Sequence, residues 1–411
     1  MYSLAVWLYG IHAASIEQER GRLRLSYTEQ ALARYQLGTP LLSLSLPLAD
    51  QRYPHGIVRP FLDGLLPEGE QRRAIANDVR VPRDDTYALI RELGRDCAGA
   101  LVIQPDNEPA PPPASTLTAE PLSEKDIGRL VENLRGAPLG AGGRVRISLA
   151  GVQEKLLLTR MPDGKWGRPV DGTPSTHILK PEIARYPNTV ENEVFCMRFA
   201  RHLGLPVAHV EAVTVNGRRL ILVERYDRMI RADGSVERIH QEDFCQATGT
   251  DPDKKYEEDG GPSLRSLAGI LQTAVGNDSL DILLRAVTMN VLIGNGDAHG
   301  KNFSIVHDES GALRLAPLYD LMSTLIYGDD RLAMHVDTVQ RMDRVTVDRL
   351  VNEAAAWGFS RRRAAAIVDD IIERASAAAA AVQNETEAVP PSILQVIDSQ
   401  LARMRDDAGG P

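Results

Sequence analysis

Hydrophobic positions change rhythm along the chain. Over residues 3–104, short apolar runs at 4–9, 41–48 and 98–103 flank a helical-looking stretch at 68–95, which predicts a small mixed α and β unit. Residues 105–121, PDNEPAPPPASTLTAEP, break every pattern, because proline fits neither a helix interior nor a central strand; this is the linker. From about residue 145 the runs become short and β-rich, at 155–159, 176–180 and 220–226. Between the last two, Val194, Met197, Phe199, Ala200 and Leu203 predict an amphipathic helix over 191–203 that stops at Gly204 and packs on a sheet. A second apolar helix, about 283–293, leads into GNGDAHGKN, then an apolar run at 303–307, a DESG turn and another run at 313–318, the pattern of a hairpin. Beyond 345 the chain reads as helical and alanine-rich, with a frayed helix and loop over 376–391 and no repeat period.

Length and composition turn these elements into domains. A chain of 411 residues, 43% hydrophobic, exceeds what one core holds, so two or three domains are expected. Cys97, Cys196 and Cys245 are widely spaced, which points to reduced thiols in the cytoplasm. The start, MYSLAVWLYGIH, lacks the basic and small-residue flanks of an export signal, and no apolar stretch is long enough to span a bilayer. A formal charge of -9 disfavours broad nucleic-acid binding, which needs a basic field.

Four segments could carry chemistry. Asp297, His299, Lys301 and Asn302 crowd with Gly294, Gly296 and Gly300 after the apolar helix, and Asp297 and Asn302 keep the spacing of a kinase catalytic loop. Phosphoryl transfer needs a carboxylate to take the hydroxyl proton and an amide oxygen to hold a metal ion. Asp320, in APLYDLMS, follows across one hairpin, where a second metal-binding carboxylate belongs. Lys180 ends the run THILKP, and Glu191 or Glu193 on the next helix could pair with it, Glu193 being preferred. RISLAGVQEK, residues 146–155, offers Gly151 for close approach of backbone to phosphate, with donors at Gln153 and Lys155. Singly, each has a plainer reading: a Gly/Asp turn, a strand-end cap, a solvated lysine, an ordinary loop. A P-loop, a dinucleotide fingerprint, zinc signatures and a hydrolase elbow are all absent.

In this order, together with ENEVFCMRFARHLGL, VERYDR, HQEDFCQATG, KYEEDGGP and, upstream, LSLSLPL, FLDGLLPE and ELGRDCAGAL, these segments resemble the HipA-like kinase family of bacterial toxin–antitoxin systems. The resemblance implies an α+β, bilobal, protein-kinase-like fold: a small α/β amino-terminal domain (1–104), the linker (105–122), a kinase N-lobe (123–227) and a helical C-lobe (228–411). It implies a cytoplasmic serine/threonine protein kinase using ATP and Mg2+. Asp297 would be the base, and Asn302 and Asp320 would hold the metal. Ala150, Gly151, Val152, Gln153, Glu154 and Lys155 would form the phosphate loop, Lys180 would contact phosphates, and Glu224, Arg225 and Tyr226 would form the adenine hinge. His299, Gly300, Lys301, Asn302, Tyr319 and Asp320 match nucleotide contacts, and Ser148 matches an inhibitory autophosphorylation site. The implied partners are a HipB-like helix-turn-helix antitoxin, DNA only through that antitoxin, and a protein substrate such as an aminoacyl-tRNA synthetase, whose modification arrests growth. No DNA-binding motif carries over at the carboxy terminus, where Arg361, Arg362 and Arg363 read as a solvated helix face.

Two other functions fit the same residues. The phosphotransfer set could serve a small-molecule kinase, because fold does not fix substrate. The chain could also be a pseudokinase binding module, against which the presence of Asp297, Asn302, Asp320 and Lys180 together argues.

Overall fold

The computed structural model describes residues 3–111, 119–134, 151, 153–170, 172–386 and 388–408. Its contacts divide into two compact units that interleave in sequence. One comprises residues 1–181, 213–253 and 306–312; the other comprises 182–212, 254–305 and 313–411. The division differs from the sequential boundaries expected above, because the amino-terminal domain and the strand-rich segment share one unit.

The first unit holds an antiparallel sheet ordered Arg52–Tyr53, Arg22–Tyr27, Ile11–Glu19, Ser3–Leu8, Val102–Pro105. Alternation along Arg22–Tyr27 puts Leu23, Leu25 and Tyr27 inward, where Phe61, Leu62, Leu89 and Ile90 complete the core. The stretch 68–95 is two helices, Gly69–Asp78 and Thr86–Leu93, because Pro82 falls between them and Asp85 caps the second. The run 41–48 forms no strand; it is a buried loop fastened by the Tyr27 hydroxyl donating to the Leu46 carbonyl.

A second sheet, ordered Val210–Val215, Arg218–Glu224, His177–Pro181, Leu156–Arg160, Trp166–Pro169, Ala119–Leu122, carries the β-rich runs. Helix Glu124–Glu132, started by a Ser123/Asp126 capping box, lays Ile127 and Val131 on Leu156, Leu158, Leu179 and Leu220.

In the second unit, helix Asp278–Ile293 is buried on nearly every side, against Thr189–His202, Arg361–Glu385 and Pro391–Ala408. Thr189–His202 is enclosed rather than amphipathic: Asn192, Glu193, Phe195, Cys196 and Phe199 are all buried. The frayed segment expected at 376–391 is continuous helix to Glu385, because Ala378, Ala379 and Val382 pack inward. The Arg361 and Arg363 guanidiniums are engaged locally, by Asn352 and by Asp281. No helix among the described residues is long and apolar enough to cross a membrane.

Candidate active site

The second unit builds its site at the carboxyl end of Asp278–Ile293. Gly294 stops that helix in a left-handed turn (φ 67), where its N–H bonds the Val291 carbonyl at 3.2 Å and that of Asn295 bonds Asn290 at 2.8 Å. The buried Asn295 side chain then accepts the Asp297 N–H at 3.1 Å, while the Gly296 N–H donates to Thr324 Oγ1 at 2.7 Å. The loop carrying Asp297 is therefore held by its own backbone on two sides.

Gly296 has no room for a side chain: a Cβ there would lie 2.4 Å from the Arg331 carbonyl oxygen and 2.7 Å from Asp329 Oδ2. Gly296→Ala is expected to destabilise the fold by about 1–3 kcal/mol, the usual cost of overpacking. Because a backbone carbonyl must give way, the Asp297 loop shifts with it, and thermal unfolding should show the loss.

Asp297 Oδ1 accepts from the Tyr256 hydroxyl at 2.5 Å and lies 3.7 Å from His299 Nε2. The surrounding chain desolvates the carboxyl and pushes it up to about 6, with Asp320 and Asp329 adding to the rise and Tyr256 and Lys255 opposing it. The side chain still keeps 47% of its surface open, so the group is recessed but reachable. His299 is buried, and desolvation with the nearby Lys255 and Lys301 charges holds it neutral, well below the usual histidine range. The contact between His299 and Asp297 is thus no ion pair.

Asn302 closes the loop of Asp297, and Asp320 is near enough to raise the Asp297 carboxyl. The Asn302 amide nitrogen donates to the Asp297 carbonyl at 2.7 Å, a bond that leaves the amide oxygen uninvolved. Asp320 follows Leu313–Leu315 and sits in the left-handed region (φ 56), a strained conformation that Asp tolerates better than most residues. The preceding Tyr319 fastens this turn to the loop. Its hydroxyl donates to the Lys301 carbonyl at 2.7 Å and lies 2.6 Å from Ser304 Oγ. The following residues are fixed by Asn192, which exchanges two 2.9 Å bonds with the Ser323 backbone. Asn302 and Asp320 each carry an oxygen donor of the kind that suits a hard cation. No group of three or more His, Cys, Asp or Glu is gathered among the described residues. Mg2+ does not require one, because water and phosphate oxygens fill most of its octahedron.

The first unit carries the other candidates. Lys180 lies in strand His177–Pro181 and is buried. Gly151 (φ 115) has its carbonyl bonded by the Glu68 N–H at 3.2 Å, and Gln153 Nε2 donates to Pro181 O at 3.1 Å. A Cβ at Gly151 would meet Lys155 Nζ at 2.7 Å. Glu154 and Lys155 are half-buried beside them. Ser148, Ala150 and Val152 lie outside the described residues. Of the hinge candidates, Glu224 is exposed and the Tyr226 hydroxyl donates to Gln241. The Arg225 guanidinium belongs to a buried cluster of Asp96, Asp227, Arg228 and Arg238, so only its backbone could face a nucleotide. Tyr256, Asn192 and Asp96 went unnoticed in the sequence, each separated from its partner by residues that a linear pattern does not connect; Asn295, two residues before Asp297, was passed over as a turn residue.

Residues 147–379 match the family model described as the HipA-like C-terminal domain, and residues 4–104 match the HipA N-terminal domain. Y4mE of Sinorhizobium fredii, named as a candidate kinase, is 44% identical over 351 residues, 83% of each chain. The serine/threonine-protein kinase toxin HipA of Shewanella oneidensis is 35% identical over 321 residues, 74% of this chain and 71% of the relative. The solved complex of Shewanella oneidensis MR-1 HipA with HipB and operator DNA aligns at a TM-score of 0.83 and 27% identity, covering 99% of this chain and 97% of that one. Helix and sheet together therefore form a protein-kinase-like fold.

Proposed function

The chain belongs to the HipA-like kinase family, and from that premise we propose that it is a serine/threonine protein kinase that uses ATP and Mg2+, with Asp297 as its base. The observation that supports this reading is the Tyr319 hydroxyl bonding the Lys301 carbonyl, which ties the turn of Asp320 to the loop of Asp297. Asn302 and Asp320 would hold Mg2+, which when bound offsets phosphate charge. A carboxyl near 6 is ionised at neutral pH, yet takes a proton from a serine or threonine hydroxyl more readily than an ordinary aspartate. Lys180 would hold phosphate oxygens, Gly151 and the loop around it would cover them, and the backbone at Glu224, Arg225 and Tyr226 would receive adenine. His299, neutral and buried, contributes shape and no charge.

The Shewanella oneidensis complex supports a HipB-like helix-turn-helix antitoxin as partner, with DNA reached through it. By family resemblance, the chain acts in the cytoplasm on a translation component such as an aminoacyl-tRNA synthetase, arresting growth, and Ser148 is its inhibitory autophosphorylation site. The test is incubation with γ-labelled ATP and Mg2+, followed by intact-mass and peptide mass spectrometry. Wild-type protein should gain phosphate, on Ser148 first. Asp320→Asn should lose at least about tenfold in rate and require more Mg2+ for half-maximal transfer, since a metal ligand is gone. Wild-type protein that binds ATP but transfers no phosphate to itself or to dephosphorylated casein would overturn the kinase reading.

A further inference from the structure

The motif KYEEDGGP, residues 255–262, supplies Tyr256 to Asp297, and its turn is tightly built. Gly261 approaches its own loop so closely that a Cβ would lie 2.3 Å from the Lys254 carbonyl oxygen and 2.7 Å from that of Tyr256. Its N–H bonds the Tyr256 carbonyl at 2.8 Å, and Gly260 turns the chain in the left-handed region (φ 89). The two glutamates anchor this turn to the hairpin Arg331–Val336 and Val339–Arg341. Glu257 accepts the His335 N–H at 2.7 Å, and Glu258 accepts from Gln340 at 2.7 Å. The Gly300 N–H reaches the Lys255 carbonyl at 3.4 Å, which ties the turn to the loop of Asp297. What this anchoring presents is the Tyr256 side chain. Its ring meets His299 edge-on at 5.2 Å, and its hydroxyl donates to Asp297 Oδ1 at 2.5 Å.

We propose that Tyr256 is a positioning residue for phosphoryl transfer: it occupies Oδ1 of Asp297, fixes the carboxylate plane, and leaves Oδ2 to accept the proton of the incoming hydroxyl. The inference rests on Asp297 being the base. A carboxylate free to rotate about its last torsion presents its oxygens over a broad arc, since such sp³–sp² torsions have no sharp well. One strong donor on one oxygen removes that freedom. The ring of His299, itself buried, packs edge-on against the phenol. In this arrangement the bond from Tyr256 neither breaks nor transfers its proton during turnover. The substrate O–H bond breaks toward Oδ2 as the hydroxyl oxygen attacks the γ-phosphorus of ATP, and ADP leaves with the electron pair of the cleaved P–O bond.

The experiment is a double-substitution cycle. Wild type, Tyr256→Phe, Asp297→Asn and the double variant are compared for transfer from γ-labelled ATP to dephosphorylated casein and to the chain itself, with melting temperatures measured alongside. Tyr256→Phe should lower kcat about ten- to hundredfold, the range set by one charge-assisted hydrogen bond. It should leave KM for ATP unchanged and lower the melting temperature by no more than the loss of one hydrogen bond explains. In the Asp297→Asn background the same change should cost nothing further, because it acts only through the carboxylate. An unchanged or raised rate in Tyr256→Phe, or an equal loss in both backgrounds, overturns the proposal while Asp297 stands. Full activity in Asp297→Asn, or no transfer by the wild type, removes the base assignment and this inference together.

Discussion

Asparagine in place of Asp297 is expected to slow phosphoryl transfer by about 10²–10⁴-fold, the contribution of a positioned general base. ATP binding should survive, because no candidate phosphate contact is altered, so the loss falls on kcat. The same substitution should make the protein more stable at neutral pH. In the folded chain the Asp297 carboxyl is raised to about 6 by desolvation and by its acidic neighbours Asp320 and Asp329, whereas in the unfolded chain it titrates near the ordinary value of about 4. Above pH 6 both states are ionised and the folded state carries the cost of the recessed charge. As pH falls from 6 to about 4 the folded state takes up the proton first and that cost disappears. In metal-free buffer Asp297→Asn should therefore melt above wild type at pH 8 and converge with it near pH 4. Wild-type activity should fall along an acid limb near pH 6. A variant that melts below wild type across the whole range would show that the carboxylate stabilises the fold and is not a strained base.

The parts of this site that share a short stretch of chain were legible in the sequence. Asp297 and Asn302 are five residues apart in one loop, and Asp320 follows across a hairpin, so their order together raised a metal and a base as candidates. Helices with clear stops were also readable: Gly294 ends Asp278–Ile293, and Gly204 follows Thr189–His202. An apolar run does not by itself fix structure where side chains are buried without regular elements. The residues at 41–48 alternate like a strand, yet their backbone is held by side chains: the Leu44 N–H by Glu242, and the Leu46 and Pro47 carbonyls by tyrosine hydroxyls. The amphipathic pattern read in Thr189–His202 misled, since Asn192 and Glu193 sit inside with the apolar residues. Tyr256 was invisible because a tyrosine in a polar loop acquires meaning only from what lies across from it, and Asp297 is 41 residues away.

Long-range pairing matters most at Asp96, which the sequence offered only as part of ELGRDCAGAL. Its carboxylate is fully buried. Arg228 Nη2 donates to it at 2.7 Å, the Ser175 hydroxyl at 2.7 Å and the Ser175 N–H at 2.9 Å, with Arg225 at 3.5 Å and Arg238 at 3.7 Å. Asp227 completes the cluster, accepting a two-pronged bond from Arg225 at 2.9 and 2.8 Å and the Gly99 N–H at 2.7 Å. Burial alone would raise both carboxyls; the guanidiniums around them outweigh it and hold both below the usual range. Burial, with the neighbouring Arg228 and Arg225 charges, brings Arg238 down to about 10 against the pull of Asp96. Asp96→Asn keeps the shape but removes one of two negative charges facing three buried arginines, and should cost about 3–5 kcal/mol, the penalty for leaving a buried charge uncompensated. The deficit should be full above about pH 4, the unfolded carboxyl value, and narrow as the wild type loses its own contribution in more acid solution. Because Arg225 of the candidate hinge donates to the Cys97 carbonyl and the Gly151 carbonyl is bonded by the Glu68 N–H, the amino-terminal domain is joined directly to the candidate nucleotide-binding segments. A surviving Asp96→Asn protein should therefore show a raised KM for ATP with kcat less affected, the reverse of the split expected for Tyr256→Phe. Equilibrium unfolding in urea together with ATP titration would measure both effects, and a variant as stable as wild type would show that the cluster is dispensable.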